Sequence, residues 1–164
     1  MVVRVQAELV CVTMGQKKEN IMIRKGSAVW QGGLKDGKGT VSTESGVLSK
    51  TQYSFGTRFE SGKGTNPEEL IAAAHAGCFS MALSAELGKA NLTPQSIETT
   101  AAVTLDKVGA GFGITQIHLD VTATIPGADA AAFDQAAQSA KQNCPVSKLF
   151  NAKITMKAGL AALK

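Results

Sequence analysis

Two cysteines sit in contrasting local contexts. Cys78 lies in the small-residue run Ala72-Ala-Ala-His-Ala-Gly-Cys-Phe-Ser80, and Cys144 opens Asn143-Cys-Pro-Val-Ser147 just after a second alanine-rich segment. A thiol on a nearly all-apolar helix, with a second thiol at a proline-marked helix start, is a pair suited to thiol redox chemistry. Taken singly, each is a small buried hydrophobe, because free cysteine is among the most buried residue types. His75 is three residues from Cys78 on the same helix, so a Cys2His zinc site with Cys144 is conceivable. It lacks a candidate fourth ligand, and a single Cys-Pro is not ligand spacing. His75 is expected to pack near the site or to satisfy a backbone group.

The chain of 164 residues is 44% hydrophobic and carries 17 basic and 13 acidic residues, enough for one core and one domain. The net charge of +4 and a pI near 9.0 come from scattered lysines. No Arg-rich stripe accompanies them, so nucleic acid is not an expected partner. Glu68, Glu69, Glu86 and Lys89 bracket the most apolar stretch, which argues against a membrane span. The first residues lack a secretory h-region, and three cysteines do not form a disulfide framework. A cytoplasmic location is therefore expected, where both thiols stay reduced between reactions.

The elements that must position the thiols follow from pattern. Residues 1 to about 21 read as an extension, with a short strand over Val2 to Val12 and a bystander Cys11; residues 22–164 form a single domain. From Lys25 to Phe59, short Val- and Thr-rich pieces separated by glycine turns read as antiparallel strands. Trp30, Tyr53 and Phe55 are candidates for pocket or core, with core favoured for Trp30. Asn66, Pro67 and Glu69 predict a helix start with a capping box, and the helix runs to about Leu87. Its apolar residues all round predict burial on most sides. Ile97 to Leu105 and Ile117 to Ile125 alternate as a long hairpin, with His118 on the exposed face. An alanine-rich helix from Asp129, a short helix from Pro145 and a last strand over residues 152–158 complete an α+β order, antiparallel sheets packed on a central buried helix.

Five segments together carry a family resemblance: Gly39-Thr-Val-Ser-Thr-Glu-Ser-Gly-Val-Leu48, Thr57-Arg-Phe-Glu60, Gly64-Thr-Asn-Pro-Glu-Glu-Leu70, Ala74-His-Ala-Gly-Cys-Phe-Ser-Met-Ala-Leu-Ser84 and Asn143-Cys-Pro-Val-Ser147. On these the chain resembles the OsmC/Ohr family over about Met22 to Leu160. Residues 1 to about 21 have no counterpart in its short forms. The resemblance implies an OsmC-like fold, an intertwined homodimer with active sites at the subunit interface, and thiol-dependent reduction of organic hydroperoxides in stress defence. It implies no metal, flavin or haem, and an external dithiol, dihydrolipoyl-type or other, as reductant. It assigns Cys78 as the attacking thiol, Cys144 as the resolving one, and Arg58 and Glu68 as polar partners.

The residues themselves leave the order of attack open. A helix N-cap favours an anion at Cys144, whereas Cys78 has the apolar surroundings suited to an organic peroxide. Cys78 needs a nearby cation to ionise near neutrality, and Arg58, oriented by Glu68, is the candidate. Glu68 and Cys78 are ten residues apart, roughly 15 Å along one helix. Either Glu68 reaches the thiol from the partner subunit, the preferred reading, or the helix is broken between them. The rival readings are a non-catalytic ligand-binding protein of the same fold, a basic nucleic-acid or stress-associated interaction protein, and a general disulfide oxidoreductase, the last disfavoured because Cys-x-x-Cys is absent.

Overall fold

The computed structural model describes residues 21–161; the expected early strand and Cys11 lie outside them. Three short strands come first, β1 (Gly26–Gln31), β2 (Lys38–Thr43) and β3 (Thr51–Ser54), paired antiparallel in that order. A single helical turn follows, α1 (Phe55–Phe59), which the strand reading of this region missed. Ser54 creates it: its Oγ accepts from Thr57 N, and Thr57 Oγ1 accepts from Ser54 N, closing both ends of a capping box. The row Trp30, Gly39, Tyr53 crosses the three strands in register. The two rings meet at 5.2 Å over the glycine, where a Cβ would collide with the Tyr53 ring. Trp30 is 37% exposed, so it is a surface aromatic of this sheet and not the core residue expected.

The long helix α2 (Pro67–Lys89) begins where its capping residues predicted, with the Asn66 side chain accepting from Glu69 N. Only half of the expected capping box forms, since the Glu69 carboxylate accepts from the Thr65 hydroxyl instead. The hairpin β4 (Ser96–Val108) and β5 (Gly111–Thr124) follows, with a bulge between Thr104 and Leu105. Then come α3 (Ala130–Asn143), capped by Asp129, the single turn α4 (Pro145–Leu149), and β6 (Lys153–Leu160). β6 pairs with β5 in parallel, which corrects the all-antiparallel expectation. The segment between them, with α3 and α4, is the long crossover that parallel neighbours require.

α2 and α3 pack on the β4-β5-β6 sheet, and α4 packs on α2 and α3. Phe79, Leu83 and Leu87 from α2 meet Leu119, Val121 and Ala123 from β5 and Phe133, Ala137 and Ala140 from α3, all within 1% of full burial. Alternation along β5 and the i, i+3, i+4, i+7 spacing on α3 explain this core. The expectation that α2 is enclosed on most sides does not hold for one chain. Its buried positions are His75, Phe79, Leu83 and Leu87, one per turn. Ala74, Gly77, Met81, Ala85 and Gly88 face outward, with Met81 76% exposed. α2 is also long and apolar enough, by length and composition, to cross a membrane. Its charged residues sit at its two ends and leave the middle uncharged; its Phe79 to Leu87 side is spent on the sheet and α3.

Candidate functional site

Cys78 projects from the middle of α2, and Cys144 ends α3 and caps α4. Their sulfurs are 3.1 Å apart, within hydrogen-bond reach of each other. Both are free thiols; Cys144 is fully buried and Cys78 is partly open. The meeting arises because α3 must turn back at Pro145, whose ring cannot continue the helical ladder, just where α3 packs on α2. Burial raises the Cys78 thiol above its ordinary range. Sharing a proton with Cys144 raises it further, the Val146 N–H opposes this, and the charge of an ionised Cys144 raises it again.

One turn before Cys78, His75 is completely buried. Its Nε2 is 2.8 Å from Ser147 Oγ, and its ring lies 5.8 Å from that of Phe150. Desolvation lowers its pKa. His75 therefore satisfies a side chain on α4, not a backbone group, and its Nε2 is committed away from the two sulfurs. Among the described residues no three His, Cys, Asp or Glu side chains form a metal-binding group. His118 is half-buried and bonds Thr155 Oγ1 at 2.6 Å across the parallel β5–β6 pair, where an exposed position was expected.

Arg58 and Glu68 meet at the first turn of α2. Asn66 sets this geometry, since its Nδ2 donates to Thr57 O while its Oδ1 caps the helix, tying α1 to the first turn of α2. Arg58 Nη2 then lies 2.7 Å from Glu68 Oε1, and Nε bridges both carboxylate oxygens at 3.1 and 3.2 Å. The guanidinium also lies over the Phe59 ring, 5.1 Å from its centroid. Phe59 touches Phe55 at 4.8 Å and Phe112, from the hairpin tip, at 5.3 Å. These aromatic neighbours of Arg58 were not singled out together in the sequence; only Phe55 was noted.

The four residues therefore form two pairs rather than one cluster. α2 runs unbroken from Pro67 to Lys89, which removes the broken-helix alternative. Glu68 and Cys78 are separated by ten residues, about 15 Å along its axis. Glu68 holds Arg58 of its own chain, so the two polar residues travel together. The thiol pair has no cation bonded to it within the described residues of one chain.

Comparison with known proteins bears on the same segments. A family profile described as OsmC-like protein matches residues 60–158. The chain is 62% identical over 133 residues to "Peroxiredoxin OsmC" of Escherichia coli (strain K12), covering 81% of this chain and 93% of that one. It is 33% identical over 101 residues to "Organic hydroperoxide resistance protein" of Xanthomonas axonopodis pv. citri (strain 306), covering 61% and 69%. The crystal structure of the organic hydroperoxide resistance protein OhrB of Bacillus subtilis superposes with a TM-score of 0.60 at 24% identity, over 84% of this chain and 98% of that one. An OsmC-like protein of unknown function from Vibrio cholerae reaches 0.68 at 15% identity, over 85% and 100%. These two structures show a shared fold.

Proposed function

The chain belongs to the OsmC-like family, and from that premise we propose that it is a thiol-dependent peroxidase reducing organic hydroperoxides in stress defence. The observation that carries this reading is the 3.1 Å approach of a partly open Cys78 to a fully buried Cys144. A thiol with a path to solvent beside one without is the arrangement in which the first meets substrate and the second resolves the product.

The Cys78 thiolate attacks one oxygen of the O–O bond in line, forming an S–O bond as the alkoxide leaves and takes a proton to become an alcohol. Cys144 then attacks the sulfenic sulfur, water leaves, and a Cys78–Cys144 disulfide forms. An external dithiol reduces it, becoming a disulfide itself. In a cytoplasmic setting the resting enzyme is the dithiol.

Burial disfavours the Cys78 thiolate, so the attack needs a cation. The Arg58–Glu68 pair supplies it from a second copy of the chain. The guanidinium stays charged and has donors for both the thiolate and the peroxide oxygen, while the bidentate carboxylate holds its plane. A homodimer is then a catalytic requirement. The outward face of α2 around Gly77 and Met81, with the exposed strand β1, supplies apolar surface for it. The Phe55, Phe59 and Phe112 rings beside Arg58 suit an organic substituent better than hydrogen peroxide.

The test is peroxide consumption by reduced protein with cumene hydroperoxide, read with intact mass for wild type, Cys78→Ser and Cys144→Ser. Cys78→Ser should be inert, and Cys144→Ser should accumulate sulfenic and over-oxidised species. A wild type that consumes no peroxide makes this a ligand-binding member of the fold whose thiols are packing.

A further inference from the structure

Two polar rungs cross from α2 to the α3–α4 junction. One is Cys78–Cys144, the other His75 Nε2 to Ser147 Oγ at 2.8 Å. The residues of each side are three apart on their own helical turn, so the rungs stack one turn from each other. Both members of the second rung are shielded from water, His75 completely and Ser147 to 7% exposure. His75 Nδ1 is buried without a hydrogen-bond partner. A bare acceptor there is less costly than a stranded N–H, which makes Nε2 the protonated nitrogen and the donor to Ser147.

An imidazole buried with one nitrogen unsatisfied is a costly way to fill space, since an apolar ring carries no such desolvation penalty. What it offers is direction. α4 has five residues and no side-chain N-cap bond, and one helical turn has no stability of its own. Its placement comes from tertiary contacts, and His75 reaches the hydroxyl three residues beyond the buried thiol while Phe150 holds the imidazole from the side.

We propose that His75 and Ser147 form a positioning clamp that holds α4 against α2, keeping Cys144 Sγ within reach of Cys78 and favouring their disulfide. The clamp acts through α4 and touches neither sulfur. Its use in peroxide turnover rests on the function proposed above, but its effect on the thiol pair does not require peroxide. Against glutathione, the disulfide of oxidised glutathione breaks, the Cys78–Cys144 bond forms, and the two protein thiol protons end on two glutathione thiols. A pre-placed α4 makes that closure less costly in chain entropy, as a high effective concentration of one thiol at the other.

The experiment is the equilibrium of the Cys78–Cys144 disulfide in glutathione redox buffers, read by intact mass, with Tm of the reduced and oxidised forms. Ser147→Ala and His75→Leu should each lower the equilibrium constant about tenfold, about 30 mV for a two-electron couple. Ser147→Thr, which keeps the hydroxyl, should recover most of the loss. Oxidation should also raise Tm less in Ser147→Ala than in wild type, because the coupling is reciprocal. An equilibrium constant within twofold of wild type, with both redox forms losing the same Tm, reduces the pair to an ordinary structural hydrogen bond and overturns the clamp. If His75→Leu does not fold, Ser147→Ala alone decides. A wild type that forms no disulfide in oxidised glutathione also overturns the clamp, whereas a normal disulfide with no peroxide consumption overturns only the peroxidase reading.

Discussion

The first turn and the middle of α2 do opposite things with polar groups. At its first turn, Arg58 and Glu68 make a bidentate ion pair near water, with side chains 36% and 13% exposed. At its middle, Cys78, Cys144, His75 and Ser147 form two polar contacts inside the core. The first pair is charged, each ion stabilised by its partner and by water; in the second group burial favours the neutral forms, the protonated thiol of Cys78 and the deprotonated imidazole of His75. The contrast teaches that one protomer holds its Arg58 cation and its thiol pair at separate places along α2, so the proposed activation needs a second copy of the chain. An exposed ion pair contributes only about 0–1 kcal/mol to stability, so Arg58 and Glu68 are better accounted for by what they meet than by what they stabilise.

The widest consequence is for activity. Arg58→Met should slow peroxide attack by about 100-fold, the scale of losing one preorganised donor at a reacting centre, with Tm nearly unchanged. Stopped-flow loss of the Cys78 thiol on peroxide addition reads it. A rate within threefold of wild type would detach this end of the helix from the chemistry.

Complementation sharpens the point. Arg58→Met and Cys78→Ser protomers, unfolded together and refolded as an equal mixture, should recover roughly a quarter of wild-type activity. Half the dimers of a two-fold assembly would be mixed, each with one complete site. Recovery no greater than that of the separate variants would put Arg58 and Cys78 to work within one chain.

For the buried end, Phe79→Ala should cost about 3–5 kcal/mol, the range for emptying a fully enclosed phenyl site, by chemical denaturation of the reduced protein. The same substitution of Met81, 76% exposed in one chain, should lower monomer stability by under about 1 kcal/mol. Equal losses at the two positions, at protein concentrations where the chain is monomeric, would contradict the one-sided burial of α2.

The smallest effect is in the pH dependence of stability. Burial lowers the His75 pKa, so the unfolded chain binds a proton that the fold resists. Its contribution is complete above the unfolded value of about 6.5 and is lost as pH falls through that value toward the folded one. Cys78 is raised, so its contribution is complete below the free thiol's value of about 8.5 and is lost as pH climbs above it. Tm of the reduced protein should plateau between those limits. His75→Gln should flatten the acid limb and Cys78→Ser the alkaline one, measured by thermal melts across pH; limbs unaltered in both variants would assign the dependence to other groups.

Much of this was legible in the residue order because it is local. Asn66-Pro67 and Asp129 announce helix starts through their own side chains, the alternation at 97–125 announces a hairpin, and Pro145 announces where α3 must stop. The thiols were conspicuous for the same reason, as cysteines in small-residue and proline-marked contexts. Tertiary structure decided what depends on partners far along the chain. β6 joins β5 in parallel because α3 and α4 carry the chain back across the sheet, and one strand's pattern cannot specify its neighbour's direction. His75 was expected near the site, but its partner could not be read from the residue order, since Ser147 lies 72 positions away. For Arg58 and Glu68 the residue order left two routes to the thiol, a partner subunit or a broken helix; an unbroken α2 with the Asn66 bridge removes the second and puts both charges of one chain at its first turn. Composition and periodicity determine which elements form, since those energies are summed over neighbours in sequence. Which polar groups share a site is set by packing, where a rise of about 1.5 Å per residue holds two ends of a helix apart.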